Sequence, residues 1–274
     1  EELIAGASDV FAWPTLDERQ ASSLCYTSGT TGNPKGVLYS HRSTVLHTFA
    51  IALPDALSCS AKDSILPVVP MFHVNAWGLP YAACMMGSKL VFPGAGLDGK
   101  SLYELFESER VTLSAGVPTV WQGLLAYVES NDLVFSTMRR TVIGGSACPP
   151  AMMKTFQERY HVQVLHAWGM TEMSPVGTVA ALKGSQVDLP ATERFAIQSK
   201  QGRAVYGVDM KIVDAEGNEL PWDGEHSGEL MVRGPWIVSQ YFKGEGGDPL
   251  VRDAEGNGWF PTGDVATIDA SGFM

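Results

Sequence analysis

The sequence has little that would tie it to a disulfide framework, a zinc cage, a membrane or a nucleic acid. Cysteine is scarce: Cys25, Cys59, Cys84 and Cys148 lie far apart and none belongs to a C-x-x-C pair. That spacing excludes a zinc ribbon and argues for reduced thiols in a cytoplasmic protein. Positive charge is also short. Nineteen Lys and Arg stand against thirty Asp and Glu, a formal net charge of −11 with a pI near 4.9. Neither nucleic acid nor an anionic membrane is expected as the main partner, although a local basic site for a nucleotide remains open. No apolar run is long enough to span a bilayer. The longest, Ala76 to Gly87, is interrupted by Gly78 and Pro80. No signal-peptide pattern, internal repeat or low-complexity tract is present.

The 274 residues are 45% hydrophobic, enough for one large domain or two smaller ones, each with its own core. The start at Glu1 and the stop at Met274, just after the turn residues Asp269 to Gly272, give the expectation of a segment from a longer protein. Residues 1–20 read as a polar loop anchored only at Trp13 and Pro14. Helical spacing follows from Ser43 to Leu57, then a buried strand from Asp63 to Pro70. From there strands and helices alternate: a strand at Lys89 to Phe92, a helix at Asp98 to Glu109, a strand at Thr112 to Gly116, a helix at Thr119 to Glu129. A strand at Thr141 to Ala147, a helix at Pro150 to Tyr160 and a strand at Val162 to His166 complete the series. This alternation predicts an α/β fold with parallel, doubly wound sheets flanked by helices, over 1–199. Residues 183–200 read as a polar connecting loop. From 200 to 274, alternating strands and tight turns predict a small antiparallel, barrel-like region.

One stretch carries the densest chemistry. Within Tyr26 to Gly36, four hydroxyls (Thr27, Ser28, Thr30, Thr31), three glycines (Gly29, Gly32, Gly36) and Lys35 lie between two short strands. Glycines let backbone N–H groups approach an anion closely, hydroxyls donate to phosphate oxygens, and lysine adds a compact positive charge. The stretch reads as a phosphate cradle or, more blandly, as a polar turn. It is not a Walker A loop, because Lys35 lies between Pro34 and Gly36 and a strand follows. His73 and Trp77 fall just past a strand end, where α/β sheets bind ligands; a core histidine fits that position as well. Trp168, Gly169, Met170, Thr171 and Glu172 also follow a strand. Such a group could stack a base, bond a phosphate and hold Mg²⁺, or form an exposed loop with a partly buried tryptophan.

Four motifs in one order, Tyr26 to Gly36, Trp168 to Glu172, Gly228 to Gly234 and Thr262 to Asp264, resemble the adenylate-forming superfamily of acyl-CoA synthetases, peptide-synthetase adenylation domains and luciferases. Residues 70–78 and 115–121 are most similar to its fatty-acyl-CoA synthetase branch. The resemblance implies ATP-dependent activation of a fatty acid as acyl-AMP and transfer to coenzyme A, with ATP, Mg²⁺ and CoA required. It implies that Thr27, Ser28, Gly29, Thr30, Thr31, Gly32 and Lys35 hold the β- and γ-phosphates, with Thr27 and Glu172 at Mg²⁺. Gly145, Ser146 and Ala147, with His166, Ala167 and Trp168, would line the adenine slot; Gly169 and Met170 continue that wall. Thr171 would touch the α-phosphate, Asp264 would accept the ribose hydroxyls, and His73 would lie near the substrate carboxylate. Trp77, Val117, Pro118, Gly144 and Gly145 would line the acyl tunnel. Catalytic roles thus fall on Thr27, Lys35, His73, Thr171 and Glu172.

The family's C-terminal lid domain is expected to be absent, so the segment alone is expected to turn over little. A homodimer is open to it. Two rival readings stay within nucleotide chemistry: a ligase for a short or medium acid, such as an alkylthio or branched acid, and a P-loop NTPase, which the context of Lys35 disfavours. A non-catalytic nucleotide- or acyl-binding homologue is the rival of another class, disfavoured by the presence of Lys35, Glu172 and Asp264.

Overall fold

The computed structural model describes residues 5–28 and 32–274. Strands β1 (Ala21–Tyr26) and β2 (Gly36–Ser40) pair as an antiparallel ribbon with the hydroxyl- and glycine-rich stretch at its turn. Ser40 ends the ribbon and starts helix α1 (His41–Ala52). Its Oγ accepts from Ser43 N–H while Ser43 Oγ accepts from Ser40 N–H, both at 3.0 Å. This reciprocal cap satisfies two donors at the helix start.

The chain then builds β3 (Ser64–Pro67), α2 (Leu79–Met86), β4 (Lys89–Leu90), α3 (Gly99–Ser108), β5 (Leu113–Gly116) and α4 (Pro118–Ser130). Next come β6 (Arg140–Ile143), α5 (Pro150–Lys154, prolonged by a π-turn over Thr155–Arg159), β7 (Gln163–Gly169), β8 (Val176–Val179), α6 (Ala191–Gln198) and β9 (Arg203–Ala204). These strands form one seven-stranded sheet in the order β4-β3-β5-β6-β7-β8-β9. The first five run parallel, as expected, and β8 and β9 add an antiparallel edge. Alternate residues enter different cores. Ile65, Val142 and Leu165 pack with α1 and α2 on one face. Leu66, Ile143 and Val164 pack with α3, α4 and α5 on the other. This is double winding, with the sheet buried on both sides.

A second sheet contains β10 (Asp209–Val213), β11 (Gly228–Arg233), β12 (Val251–Arg252) and β13 (Gly258–Ala266), in the order β10-β11-β13-β12, antiparallel throughout. The expected small antiparallel region thus takes the form of a four-stranded sheet. Two expectations change. The stretch 183–200 contains α6, begun after Pro190 with Glu193 in its first turn; proline suits that position, and the helix has no buried residue to mark it in the sequence. Trp13 is 86% exposed and touches Phe11, so it does not anchor the opening segment. No helix of the described residues is long and apolar enough to cross a membrane.

His47 on α1 is fully enclosed, with Nε2 accepting from Val176 N–H at 3.1 Å. Burial lowers its pKa from 6.5 to about 3, so the folded state holds it neutral while an unfolded chain protonates it below pH 6.5. Its contribution is therefore fully present above pH 6.5 and lost as pH falls towards 3, by at most about 1.4 kcal/mol per pH unit. The stability difference between wild type and His47→Gln is expected to shrink by about 2–3 kcal/mol between pH 7 and pH 4.5. Urea unfolding at both pH values checks this; a pH-independent difference would contradict it.

Candidate active site

The parallel strands all end on the same side, and a cavity of about 630 Å³ opens there, where ligands bind in such sheets. Its first wall is the ribbon turn. Thr27 N–H donates to Lys35 O at 2.9 Å and Lys35 N–H donates to Thr27 Oγ1 at 3.0 Å, which clamps the base of the loop. Thr27, Ser28, Gly32 and Lys35 face the cavity. The expected contributions of Gly29, Thr30 and Thr31 lie outside the described residues.

The second wall follows β3. Here Val74, Asn75, Ala76 and Trp77 have φ of 48°, 52°, 49° and 58°, and Gly78 has φ 77°. They make one left-handed turn between β3 and α2. Left-handed helical backbone costs L-residues about 1–2 kcal/mol each, so it persists only where its surroundings hold it. Val74, Ala76 and Trp77 are buried, and Asn75 Nδ2 donates to Ser23 Oγ of β1 at 2.9 Å. At Gly78 a Cβ would come within 2.9 Å of the His47 ring. The turn leaves His73 exposed at the cavity mouth and lays the Trp77 indole along its floor.

Gly144 and Gly145, at the end of β6, meet that indole. A Cβ on Gly144 would lie 2.8 Å from Ala167 O and 3.3 Å from Trp77 Cη2, and Gly145 has φ +76°. Glycine is required for the approach at one position and for the backbone at the other. Val117 and Pro118 do not line the cavity. Val117 stands behind Gly145, 3.2 Å from where its Cβ would be, and Pro118 is buried in the first turn of α4.

The end of β7 supplies Ala167, Trp168, Gly169, Met170, Thr171 and Glu172. Trp168 Nε1 donates to Asp264 Oδ2 of β13 at 3.0 Å. This bond joins the two sheets and parts the cavity from a neighbouring one of about 500 Å³, which Gly145, Ser146, Ala147 and Gln201 help to line. His166 lines neither. Its side chain is 1% exposed; Nδ1–H donates to Ser199 O at 3.2 Å and Nε2 accepts from Cys148 N–H at 3.1 Å. Both ring nitrogens are occupied and burial lowers its pKa, so the ring braces the Gly-rich turn from behind. That is the correction to its expected place in the slot.

Glu172 is buried, and its Oε1 accepts from Tyr241 Oη at 2.8 Å. Burial, with the Glu172 contact next, pushes the Tyr241 phenol well above its ordinary range, so it stays a donor. The Lys35 ammonium sits 4.8 Å from the centroid of the Tyr241 ring, a cation–π contact. Tyr39 Oη donates to Thr171 O at 2.6 Å. Sequence reasoning missed Tyr241. The aromatic pair Tyr241 and Phe242 shortly after Gly234 is the only local sign, and nothing local joins it to Glu172.

A buried carboxyl side chain, a lysine, a hydroxyl-rich loop and an indole–carboxylate pair thus surround one cavity. The profile of the AMP-binding enzyme family matches residues 4–242, and the chain belongs to that family. It is 56% identical over its whole length to a medium-chain-fatty-acid–CoA ligase of Ectopseudomonas oleovorans, covering 49% of that protein. It is 53% identical to a 3-methylmercaptopropionyl-CoA ligase of Ruegeria pomeroyi, covering 50%. Among solved structures, a long-chain-fatty-acid-CoA ligase from Archaeoglobus fulgidus superposes with a TM-score of 0.81 at 26% identity, over 99% of this chain and 54% of that one. ATP-bound MatB from Rhodopseudomonas palustris gives 0.79 at 25% identity, over 99% and 50%. The chain thus spans about half the length of the curated relatives it matches.

Proposed function

We propose that this chain is the adenylation core of an ATP-dependent acid–thiol ligase that activates a fatty acid as acyl-AMP and passes it to CoA. The observation that carries this reading is the single cavity into which Lys35, His73, Trp77, Glu172 and Asp264 all open. Relatives named as CoA ligases over the whole chain support it.

In this reading Lys35, the Thr27–Ser28 hydroxyls and the loop backbone hold the β- and γ-phosphates. Trp168 offers a face to the base, and Asp264 exchanges its indole partner for ribose hydroxyls, a role suited to an ionised carboxylate. Thr171 bonds the α-phosphate and His73 steadies the substrate carboxylate. A carboxylate oxygen attacks the α-phosphorus, the bond to the bridging oxygen breaks, and pyrophosphate leaves. The CoA sulfur then attacks the acyl carbonyl, and AMP departs. Alignment and charge neutralisation do most of the work.

The donor set fits Mg²⁺. Among the described residues no side chain hydrogen-bonds the second carboxylate oxygen of Glu172, and the Thr27 oxygen has spare capacity beside its bond from Lys35 N–H. Among the described residues no group of three His, Cys, Asp or Glu converges. One carboxylate plus substrate phosphates is the usual arrangement for this ion. When bound, Mg²⁺ neutralises charge on the departing pyrophosphate. We place the reaction in the cytoplasm, where four free thiols persist; a homodimer is compatible with it.

A second reading, a ligase for a short acid such as an alkylthio acid, is favoured by the Trp77 indole closing the floor against Gly144 and Gly145. Non-hydrolysable acyl-AMP mimics from about C3 to C16, titrated calorimetrically, separate the two. Each CH₂ that finds apolar wall adds about 0.8 kcal/mol. Affinity is expected to climb through the medium and long chains; a plateau after the first few carbons favours the short acid, and no binding to a folded sample overturns both.

A further inference from the structure

Lys35 and Glu172 carry opposite charges into one partly enclosed cavity, where attraction is stronger than in water, yet no ion pair joins them. Tyr241 meets both: its hydroxyl donates to Glu172 Oε1 at 2.8 Å and its ring lies under the Lys35 ammonium at 4.8 Å. Across from the ring, Gly246 closes on the same lysine, so near that a Cβ there would lie 3.0 Å from Nζ. Tyr241 is itself held. It is 8% exposed, it bridges to Val37 of β2, and three residues upstream Val238 N–H donates to Glu172 O at 2.8 Å. Ser174 Oγ donates to Trp236 O at 3.0 Å, which ties the same segment down again.

We propose that Tyr241 is a positioning residue that keeps Glu172 and Lys35 from neutralising each other. By occupying one carboxylate oxygen and giving the ammonium a π-face, it leaves the other oxygen for a phosphate-bound divalent cation and the ammonium for the phosphates. The proposal rests on the nucleotide and Mg²⁺ reading above. Without the hydroxyl, Glu172 is released towards Lys35, and the two satisfy each other instead of the ligand.

The test is calorimetric binding of ATP to the full chain, with Mg²⁺ and again with EDTA, for wild type, Tyr241→Phe, Glu172→Gln and the double variant. Tyr241→Phe keeps the ring and the fold. It is expected to weaken binding with Mg²⁺ roughly 10- to 100-fold, the usual effect of removing a partner of a metal-ligating carboxylate, and to weaken binding in EDTA by a clearly smaller factor, because there only the diverted Lys35 ammonium is felt. In the Glu172→Gln background the same substitution is expected to add almost nothing, because its effect runs through that carboxylate. Equal weakening with and without Mg²⁺, no weakening at all, or full additivity with Glu172→Gln overturns the proposal while wild-type binding keeps the nucleotide reading intact. Failure of folded wild-type protein to bind ATP in either condition overturns that reading, and this one with it.

Discussion

Glu172→Gln is expected to slow acyl-adenylate formation roughly 10²–10³-fold, the scale on which single charge-stabilising groups act in such sites. The substitution is close to isosteric, and a glutamine carbonyl can still accept from Tyr241 Oη, so the hydrogen bond at Oε1 and the clasp through Val238 survive. What disappears is the negative charge. Thr27 alone cannot hold a divalent ion, and among the described residues no cluster of acidic or histidine side chains could replace Glu172. The loss should fall on the first half-reaction. Exchange of labelled pyrophosphate into ATP, dependent on the carboxylic acid and measured in a full-length protein carrying this sequence, reports it. A fall of less than about fivefold would remove Glu172 from the proposed metal site.

Arg140→Met is expected to cost about 3–5 kcal/mol of stability, the usual penalty for stripping a buried charge of its partner. Asp63 and Arg140 pair at 2.7 Å with side chains only 7% and 13% exposed. Both make further hydrogen bonds. Asp63 accepts from Ser60 N–H and Thr112 Oγ1, while Arg140 donates to Leu57 O and Ser58 O. The network staples the loop after α1 to the starts of β3, β5 and β6. Methionine matches the aliphatic stem but leaves a buried carboxylate and two carbonyls without their partner. A lowered urea midpoint with an unchanged slope is the expected reading. A cost below about 1 kcal/mol would mean that water replaces the guanidinium at no penalty.

Much of the framework follows from local pattern. Ser40 before α1 and Asp98 before α3 carry cap chemistry in their own side chains and mark both helix starts. Short apolar runs in alternation with helical spacing predict the parallel sheet, since a strand buried on both faces must be apolar throughout. The antiparallel edge of β8 and β9 was not legible, because direction within a sheet depends on where the chain goes next. Helix α6 escaped notice because a helix with no buried face has no apolar stripe to display.

The chemistry of the site divides in the same way. The sequence alone determined which functional groups are present: the hydroxyls and lysine between Tyr26 and Gly36, the carboxylates Glu172 and Asp264, and the indoles Trp77 and Trp168. Side-chain identity carries reactivity, and motif order carries the family. Only the tertiary structure decided which of them meet. It turned His166 away from the cavity, wound Val74–Trp77 left-handed, set the Trp168 indole on Asp264 across 96 residues and brought Tyr241 to Glu172 across 69. Contacts at that separation leave no local trace, because they arise when two sheets with independent hydrophobic patterns pack against each other, and the packing rather than either pattern sets the distances between their polar groups.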